Sequence, residues 1–169
     1  DKLGIKVDNY FASEIKETAI KVTKDNYPNT KHIGSVEFVT KEMFFNYKID
    51  LLIGGSPCQD LTIINNKKEG LNGSKSRLFY EYLRVLKEIK PKYFLLENVA
   101  SMKNSDKNII TKLLGVEPIL INSDLVSAQH RRRLYWTNIP NIEQPKNKNI
   151  FLKDVINYSN GREENMSDK

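Results

Sequence analysis

The sequence of 169 residues contains a single cysteine, Cys58. One cysteine excludes a disulfide framework and a zinc site built from cysteines, and it fits a protein kept in a reducing compartment. The sequence has no run of about 18 apolar residues that could cross a membrane and no secretory signal pattern. It also lacks a Gly-x-x-x-x-Gly-Lys loop and a Cys-x-x-Cys pair, so two common signatures of nucleotide binding and thiol redox chemistry are missing.

The residues that are present describe one globular domain, or most of one. Hydrophobic residues make up 39% of the sequence and charged residues 28%. A chain of this length can bury a sizeable core. The formal net charge of +6 permits a nucleic-acid partner without requiring one.

Segments typical of strands and helices alternate along the chain. Strands are predicted near residues 10–14, 32–36, 51–53, 93–96, 118–121 and 133–137, and helices over residues 15–26, 41–46, 77–90 and 105–114, the last capped by Ser105. This alternation predicts an open α/β sheet with right-handed crossovers. After Pro140 the pattern weakens: only residues 150–156 look ordered, and residues 157–169 are polar enough to form a loose tail.

Polar residues are concentrated at the ends of three predicted strands. Pro57-Cys58-Gln59 follows one strand, Glu97-Asn98-Val99 follows the next, and Gln129-His130-Arg131-Arg132-Arg133 comes just before the last. In a parallel sheet the first two segments would lie side by side on the edge where ligands and nucleophiles sit in open α/β folds. Each segment also has an ordinary interpretation: a loop cysteine, a solvated or cap-forming glutamate, and a solvated arginine-rich face with His130 as a spacer.

In their order and spacing the three segments resemble motifs IV, VI and VIII of the DNA cytosine-5 methyltransferases. Other stretches look like the catalytic domain of the animal de novo DNA methyltransferases: Gly70-Leu71, Arg77-Leu78-Phe79-Tyr80-Glu81, Ser105-Asp106-Lys107 and Val126-Ser127-Ala128. The resemblance implies an incomplete, Rossmann-like methyltransferase fold, a three-layer α/β sandwich. Residues 1–140 would be the central part of the catalytic domain, and residues 141–169 a polar C-terminal extension.

The resemblance implies transfer of a methyl group from S-adenosylmethionine to carbon 5 of cytosine in DNA. Carbon 5 is a poor nucleophile, so a thiolate must first add at carbon 6, and Cys58 is the implied nucleophile. Glu97 is implied to hold or protonate N3 of the base. Arg133 is implied to contact O2, with Arg131 in a supporting or phosphate-contacting role. The target base must leave the duplex because a stacked base cannot be reached on its face.

The resemblance also implies residues that support the site and contact DNA. Asn98 and Gln129 are implied structural supports. Residues 59–76 resemble a mobile loop that closes over DNA, in which Ile64 is an apolar wedge. Phosphate contacts are implied for basic residues of the loop and of the following helix, which are Lys67, Lys68, Lys75 and Arg77. The alternative is a surface loop whose lysines have no specific role.

Cofactor binding is implied at the ends of the first strands. Glu14 matches the acidic residue that holds the ribose hydroxyls, and Ile15 matches the residue that packs against adenine. Further implied contacts of the cofactor are Ser35, Pro57 and Leu78. The chain departs from the family because Ser35 stands where an acidic residue accepts the adenine amine, and no Phe-x-Gly-x-Gly loop is found.

Two alternatives remain open beside DNA methylation. The first is a non-catalytic family member that binds DNA or a partner methyltransferase subunit, although Cys58 and Glu97 are both present. The second is RNA methylation, whose transfer-RNA branch carries Cys-Phe-Thr after Glu-Asn-Val, whereas this chain has no second cysteine. The expected partners are double-stranded DNA and a second subunit or further segments of the same gene product. The expected location is the cytoplasm of a prokaryotic or phage-infected cell.

Overall fold

The computed structural model of the chain describes residues 4–55 and 78–156. Strands and helices alternate as predicted, in the order β1 (Phe11–Ala12), α1 (Glu17–Asn26), β2 (Lys31–His32), β3 (Leu51–Gly55), α2 (Leu78–Ile89), β4 (Tyr93–Val99), α3 (Asn104–Leu114), β5 (Ile119–Asn122), β6 (Arg132–Thr137) and α4 (Leu152–Val155). Single 3-10 turns cover Val36–Phe38, Ser123–Leu125 and Lys41–Phe44, the last in place of the helix expected over residues 41–46. Within the described residues, no helix is long and apolar enough to cross a membrane.

The strands form a parallel pair, β1 with β2, and a four-stranded sheet with the order β3-β4-β6-β5. Strands β3 and β4 are parallel, but β6 runs antiparallel to both of its neighbours. The reason is the connection from β5 to β6, which spans only residues 123–131 and is too short for a helical crossover between parallel strands. As a result, the carboxyl ends of β3, β4 and β5 and the start of β6 meet at one edge of the sheet.

Helices α2 and α3 cover one face of this sheet. The core between these helices and the sheet contains Phe79, Leu96, Ile110 and Trp136, all fully buried. Along β4, burial alternates, so that Leu96 and Asn98 lie on the helix-covered face while Glu97 is only partly buried on the other face. The period of two along a strand therefore directs the Glu97 side chain away from the core.

Glycine at position 54 lets α2 lie close to β3. A Cβ atom added at Gly54 would lie 2.4 Å from Cδ2 of the Tyr82 ring. Tyr82 belongs to the buried core, and this burial raises the pKa of its hydroxyl group. A side chain at position 54 would therefore force either the helix or the strand to move.

Two other local predictions are wrong, and a third falls outside the described residues. Ser105 is not the cap of α3, because the capping position is Lys103 and Ser105 lies inside the first turn. The strand expected over residues 32–36 is limited to Lys31–His32, since the chain turns at Gly34 with a φ of 76° and enters a 3-10 turn. The polar tail predicted for residues 157–169 lies outside the described residues.

Candidate active site

Glu97 and Arg133 form an ion pair at the carboxyl edge of the sheet. Arg133 Nε donates to Glu97 Oε1 at 2.7 Å, and the two side chains are 18% and 33% exposed. Their strands are neighbours, with Val99 opposite Arg133 and Glu97 opposite Tyr135. Charge-assisted bonds of this length are among the stronger hydrogen bonds in proteins. Two of the predicted site residues are therefore in direct contact, and together they present a hydrogen-bond donor and a hydrogen-bond acceptor.

The same carboxylate lies beside the end of β3. Gly55 is opposite Glu97 in the parallel register of β3 and β4, and a Cβ atom added at Gly55 would lie 3.4 Å from Glu97 Oε2. Cys58 follows Gly55 by three residues, and both Pro57 and Cys58 lie outside the described residues. We predict that the Cys58 thiol and the Glu97 carboxylate share one cleft, because β3 and β4, which lead to them, end side by side.

Asn98 lies on the opposite face of β4 and is only 1% exposed. Its Oδ1 accepts a hydrogen bond from the backbone N–H of Val99 at 2.8 Å. This bond fixes the backbone where β4 ends, directly after Glu97. The position agrees with a structural role for Asn98, although its support of the Cys58 segment stays a prediction.

The loop from β5 to β6 is held by several side-chain hydrogen bonds. The N–H of Arg131 donates to Asn122 Oδ1 at 2.9 Å, and the N–H of Ser123 donates to the carbonyl of Arg131 at 3.1 Å. The carbonyl of Gln129 accepts from the Ser123 hydroxyl at 2.5 Å. Gln129 thus contributes through its backbone, and its side chain is exposed, as is that of Arg131.

Asn122, Asp124 and His130 were not identified as site residues from the sequence. Asp124 Oδ2 lies 2.6 Å from Asn122 Nδ2 and 3.0 Å from His130 Nδ1. These residues are up to eight positions apart in a segment without regular periodicity. The sequence offered only one signal, a histidine within an arginine-rich run.

Three of the five predicted cofactor residues closely follow β1 and β2, which are paired in parallel. Glu14 Oε1 accepts hydrogen bonds from the backbone N–H groups of Ile15 and Lys16, both at 2.8 Å. The Ile15 side chain is 73% exposed. The Ser13 hydroxyl donates to the carbonyl of Gly34 at 2.8 Å, which ties the two strand ends together.

Ser35 begins the 3-10 turn Val36–Phe38, and its hydroxyl oxygen accepts from the N–H of Glu37 at 3.3 Å. Arg84 of α2 holds this turn, since its guanidinium donates to the carbonyl of Val36 at 2.9 Å. The hydrogen bond that Arg84 donates to the Glu81 carboxylate raises the pKa of Arg84. Among the other predicted contacts, Leu78 is the first residue of α2 and is partly buried.

The predicted DNA-contacting residues of the loop between β3 and α2 lie outside the described residues: Ile64, Lys67, Lys68, Lys75 and Arg77. Their roles stay predictions. In the described part of the chain, the cationic residues that directly precede Arg133 belong to the β5–β6 loop and to the start of β6. Arg132 there is exposed, as Arg131 is.

This arrangement of strands and helices, with acidic and basic residues gathered at one edge of the sheet, defines an incomplete Rossmann-like fold of the methyltransferase class. A prophage-encoded protein of Escherichia coli, described as a DNA modification methyltransferase, has a similar structure. It matches with a TM-score of 0.61 and 26% sequence identity, over 79% of this chain and 40% of that protein.

Sequence comparison identifies the family. The model of the C-5 cytosine-specific DNA methylase family matches residues 2–168, and the chain belongs to that family. The type II methyltransferase M1.ScrFI of Lactococcus lactis subsp. cremoris is 39% identical over 102 residues, which is 60% of this chain and 25% of that protein. The orphan methyltransferase M.SPRI of Bacillus phage SPR is 31% identical over 149 residues, which is 81% of this chain and 33% of that protein. The chain thus spans between a quarter and two fifths of these relatives.

Proposed function

We propose that this chain carries the base-binding and nucleophilic part of a DNA cytosine-5 methyltransferase. One observation supports this above the others. The Glu97–Arg133 pair, at 2.7 Å, lies beside Gly55, three residues before the only cysteine. An acidic group, a guanidinium and a thiol at one sheet edge are the groups that activation of a cytosine ring requires.

The geometry of the ion pair matches the edge of the base. In cytosine, N3 lies between the exocyclic amine and O2, so a carboxyl group and a guanidinium held side by side can contact all three. Glu97 would accept from the amine and, when protonated, donate to N3. Arg133 would donate to O2. The partial burial of both side chains strengthens such contacts relative to bulk water.

The proposed reaction has three steps: addition of the thiolate, transfer of the methyl group and elimination of the thiolate. The Cys58 thiolate adds to carbon 6 of the flipped cytosine, and the displaced ring electrons are drawn towards N3 and O2. The N3 atom takes the proton of Glu97, while Arg133 stabilises charge at O2. Carbon 5, now nucleophilic, would take the methyl group as the methyl–sulfur bond of S-adenosylmethionine breaks, with S-adenosylhomocysteine as the leaving group. N3 would return its proton to Glu97. Loss of the proton from carbon 5 to a base then expels the thiolate and restores the aromatic ring.

S-adenosylmethionine supplies the methyl group in this family's chemistry. The ends of β1 and β2 suit its nucleoside part, because a fixed carboxylate and an exposed aliphatic side chain stand next to each other there. Glu14 would accept from the ribose hydroxyls, and Ile15 would pack on adenine. Ser35 would contribute a hydroxyl group at the adenine edge, with Pro57 and Leu78 as further contacts.

Double-stranded DNA is the proposed substrate. Arg131 and Arg132 are exposed and directly precede Arg133 in the chain, so they would contact phosphates near a flipped nucleotide. The basic residues of segment 59–77 and the apolar wedge Ile64 would extend this contact. Further segments of the same gene product or a second subunit would supply target recognition.

Trapping with 5-fluorocytosine tests the proposal. Fluorine at carbon 5 blocks the final elimination, so a nucleophile that adds to carbon 6 stays bound to the DNA. With S-adenosylmethionine and a duplex library containing the analogue, the chain should form a covalent adduct visible by mass spectrometry, and Cys58→Ser should form none. Two results would contradict the proposal: an adduct that persists in Cys58→Ser, or no adduct from folded wild-type chain.

A further inference from the structure

A polar cluster of residues that have no assigned role in the proposed reaction lies at the same edge of the sheet. It consists of Asn122 at the end of β5, Asp124 in the following 3-10 turn, and His130 just before β6. One carboxylate oxygen, Asp124 Oδ2, lies 2.6 Å from Asn122 Nδ2 and 3.0 Å from His130 Nδ1. The Asn122 amide oxygen accepts the N–H of Arg131 at 2.9 Å. The cluster therefore links an imidazole to the backbone of a predicted DNA-contacting arginine.

These contacts fix the orientation of the imidazole. Nδ1 of His130 lies 3.0 Å from both Asp124 Oδ2 and Asn122 Nδ2. When Nδ1 is protonated, it donates to the carboxylate, and the Asn122 amide donates to the same oxygen. The second ring nitrogen, Nε2, lies on the other side of the ring, and the His130 side chain is 71% exposed. Within the described residues no hydrogen bond to Nε2 is found, so this nitrogen can meet an external ligand.

The surroundings favour an anionic ligand. Arg131 and Arg132 follow His130 directly, and both are exposed. Arg132 lies opposite Asn122 in the register of β5 and β6, and the next residue is Arg133, which pairs with Glu97. Asp124, the acidic residue of this loop, has one carboxylate oxygen within hydrogen-bond distance of both Asn122 and His130.

We propose that this loop binds a backbone phosphate of DNA next to the target nucleotide, with His130 Nε2 and the Arg131 guanidinium as ligands. Asp124 and Asn122 are positioning residues: they hold the ring and the Arg131 backbone before DNA arrives, which lowers the entropic cost of binding. When both ring nitrogens are protonated, the imidazolium donates to Asp124 on one side and to the phosphate on the other. The proposal rests on DNA being the substrate.

The sharpest test changes Asp124 to asparagine. Loss of a negative charge near DNA should by itself strengthen binding, whereas loss of the hydrogen bond that positions His130 should weaken it. We expect Asp124→Asn and His130→Gln each to weaken binding of a short fluorescein-labelled duplex, measured by fluorescence anisotropy, by roughly ten-fold. In a buffer acidic enough to protonate the imidazole, His130→Gln should also reduce the slope of log affinity against log salt by about one phosphate contact, or about 0.9.

Glu117→Gln is the matched control. Glu117 is exposed just before β5, at the opposite end of the sheet, and its substitution removes the same charge. It should leave duplex affinity unchanged or slightly higher. If Asp124→Asn behaves like Glu117→Gln, or if folded wild-type chain shows no salt-dependent binding, the phosphate site is refuted. Thermal unfolding of each variant checks that the chain stays folded.

The outcomes separate this inference from the proposed reaction. Binding is measured on ordinary duplex and with the Cys58→Ser variant, so it does not depend on adduct formation. Weaker binding by Asp124→Asn without any 5-fluorocytosine adduct would support the phosphate site and contradict the chemistry. An adduct together with unchanged binding by Asp124→Asn would support the chemistry and contradict the phosphate site.

Discussion

Gly54 and Gly55 are adjacent at the end of β3, yet a methyl group at each would meet very different neighbours. At Gly54 a Cβ atom would lie 2.4 Å from Cδ2 and 2.6 Å from Cε2 of Tyr82, whose ring is buried in the core. At Gly55 the nearest atom is Glu97 Oε2 at 3.4 Å, an ordinary contact distance at the end of a movable side chain. One substitution should therefore disturb the fold, and the other the site.

Over-packing of a core costs about 1–3 kcal/mol, and a ring held between a helix and a strand has little freedom to give way. We expect Gly54→Ala to lower the free energy of unfolding by at least about 2 kcal/mol. Gly55→Ala should lower it by less than about 1 kcal/mol. Gly55→Ala should still slow 5-fluorocytosine trapping, because the added methyl group restricts the carboxylate that contacts N3.

Urea unfolding followed by tryptophan fluorescence measures the first effect. Trp136 is the only tryptophan and is fully buried in the core that contains Tyr82, so its emission reports on this packing. A Gly54→Ala/Tyr82→Leu double variant should lose less stability than the sum of the single variants, because the smaller side chain makes room for the methyl group. Equal unfolding midpoints for wild type and Gly54→Ala, or strict additivity in the double variant, would refute the reasoning.

Three further predictions concern single side chains. Tyr82→Phe should be as stable as wild type or up to about 1 kcal/mol more stable, since within the described residues the hydroxyl is buried without a partner. Because burial raises the pKa of Tyr82, the unfolded phenol ionises first, and wild type should lose stability as pH rises above the ordinary value of 10.0. Urea unfolding at a series of pH values across that range measures this loss. The Tyr82→Phe variant should not show it. Glu97→Gln should unfold at nearly the wild-type urea concentration but slow trapping by about 100-fold or more, and a wild-type trapping rate would exclude Glu97 as the proton donor. Asn122→Ala and Asn138→Ala each remove an amide that bonds to backbone, at opposite ends of β6, and each should cost about 1 kcal/mol in thermal unfolding. Only Asn122→Ala should slow trapping, so equal trapping by the two variants would contradict a role in positioning Arg131.

Much of the fold could be predicted from local patterns. Helix α2 (Leu78–Ile89) and strands β3 and β4 were expected close to their observed bounds. Burial of one face imposes a regular apolar spacing on α2 and β4, whereas β3 was recognised from its run of apolar residues although Leu51 and Ile53 are exposed. The position of Glu97 directly after Leu95 and Leu96 was also sufficient to place it at the end of a strand. Family membership followed from the order and spacing of short motifs, since each motif marks a group with a defined chemical task.

The sequence by itself thus determined the class of fold, the order of its elements and the residue types available for chemistry. Only the tertiary structure decided that β6 inserts antiparallel between β4 and β5, which brings Arg133 to 2.7 Å from Glu97 across 36 positions of sequence. It also decided the close approach of Tyr82 to Gly54 and the pairing of His130 with Asp124. The physical reason is that strand and helix propensities act over a few neighbouring residues. Register and side-chain contacts, in contrast, arise from the packing of segments that are distant in the chain and carry no local signal.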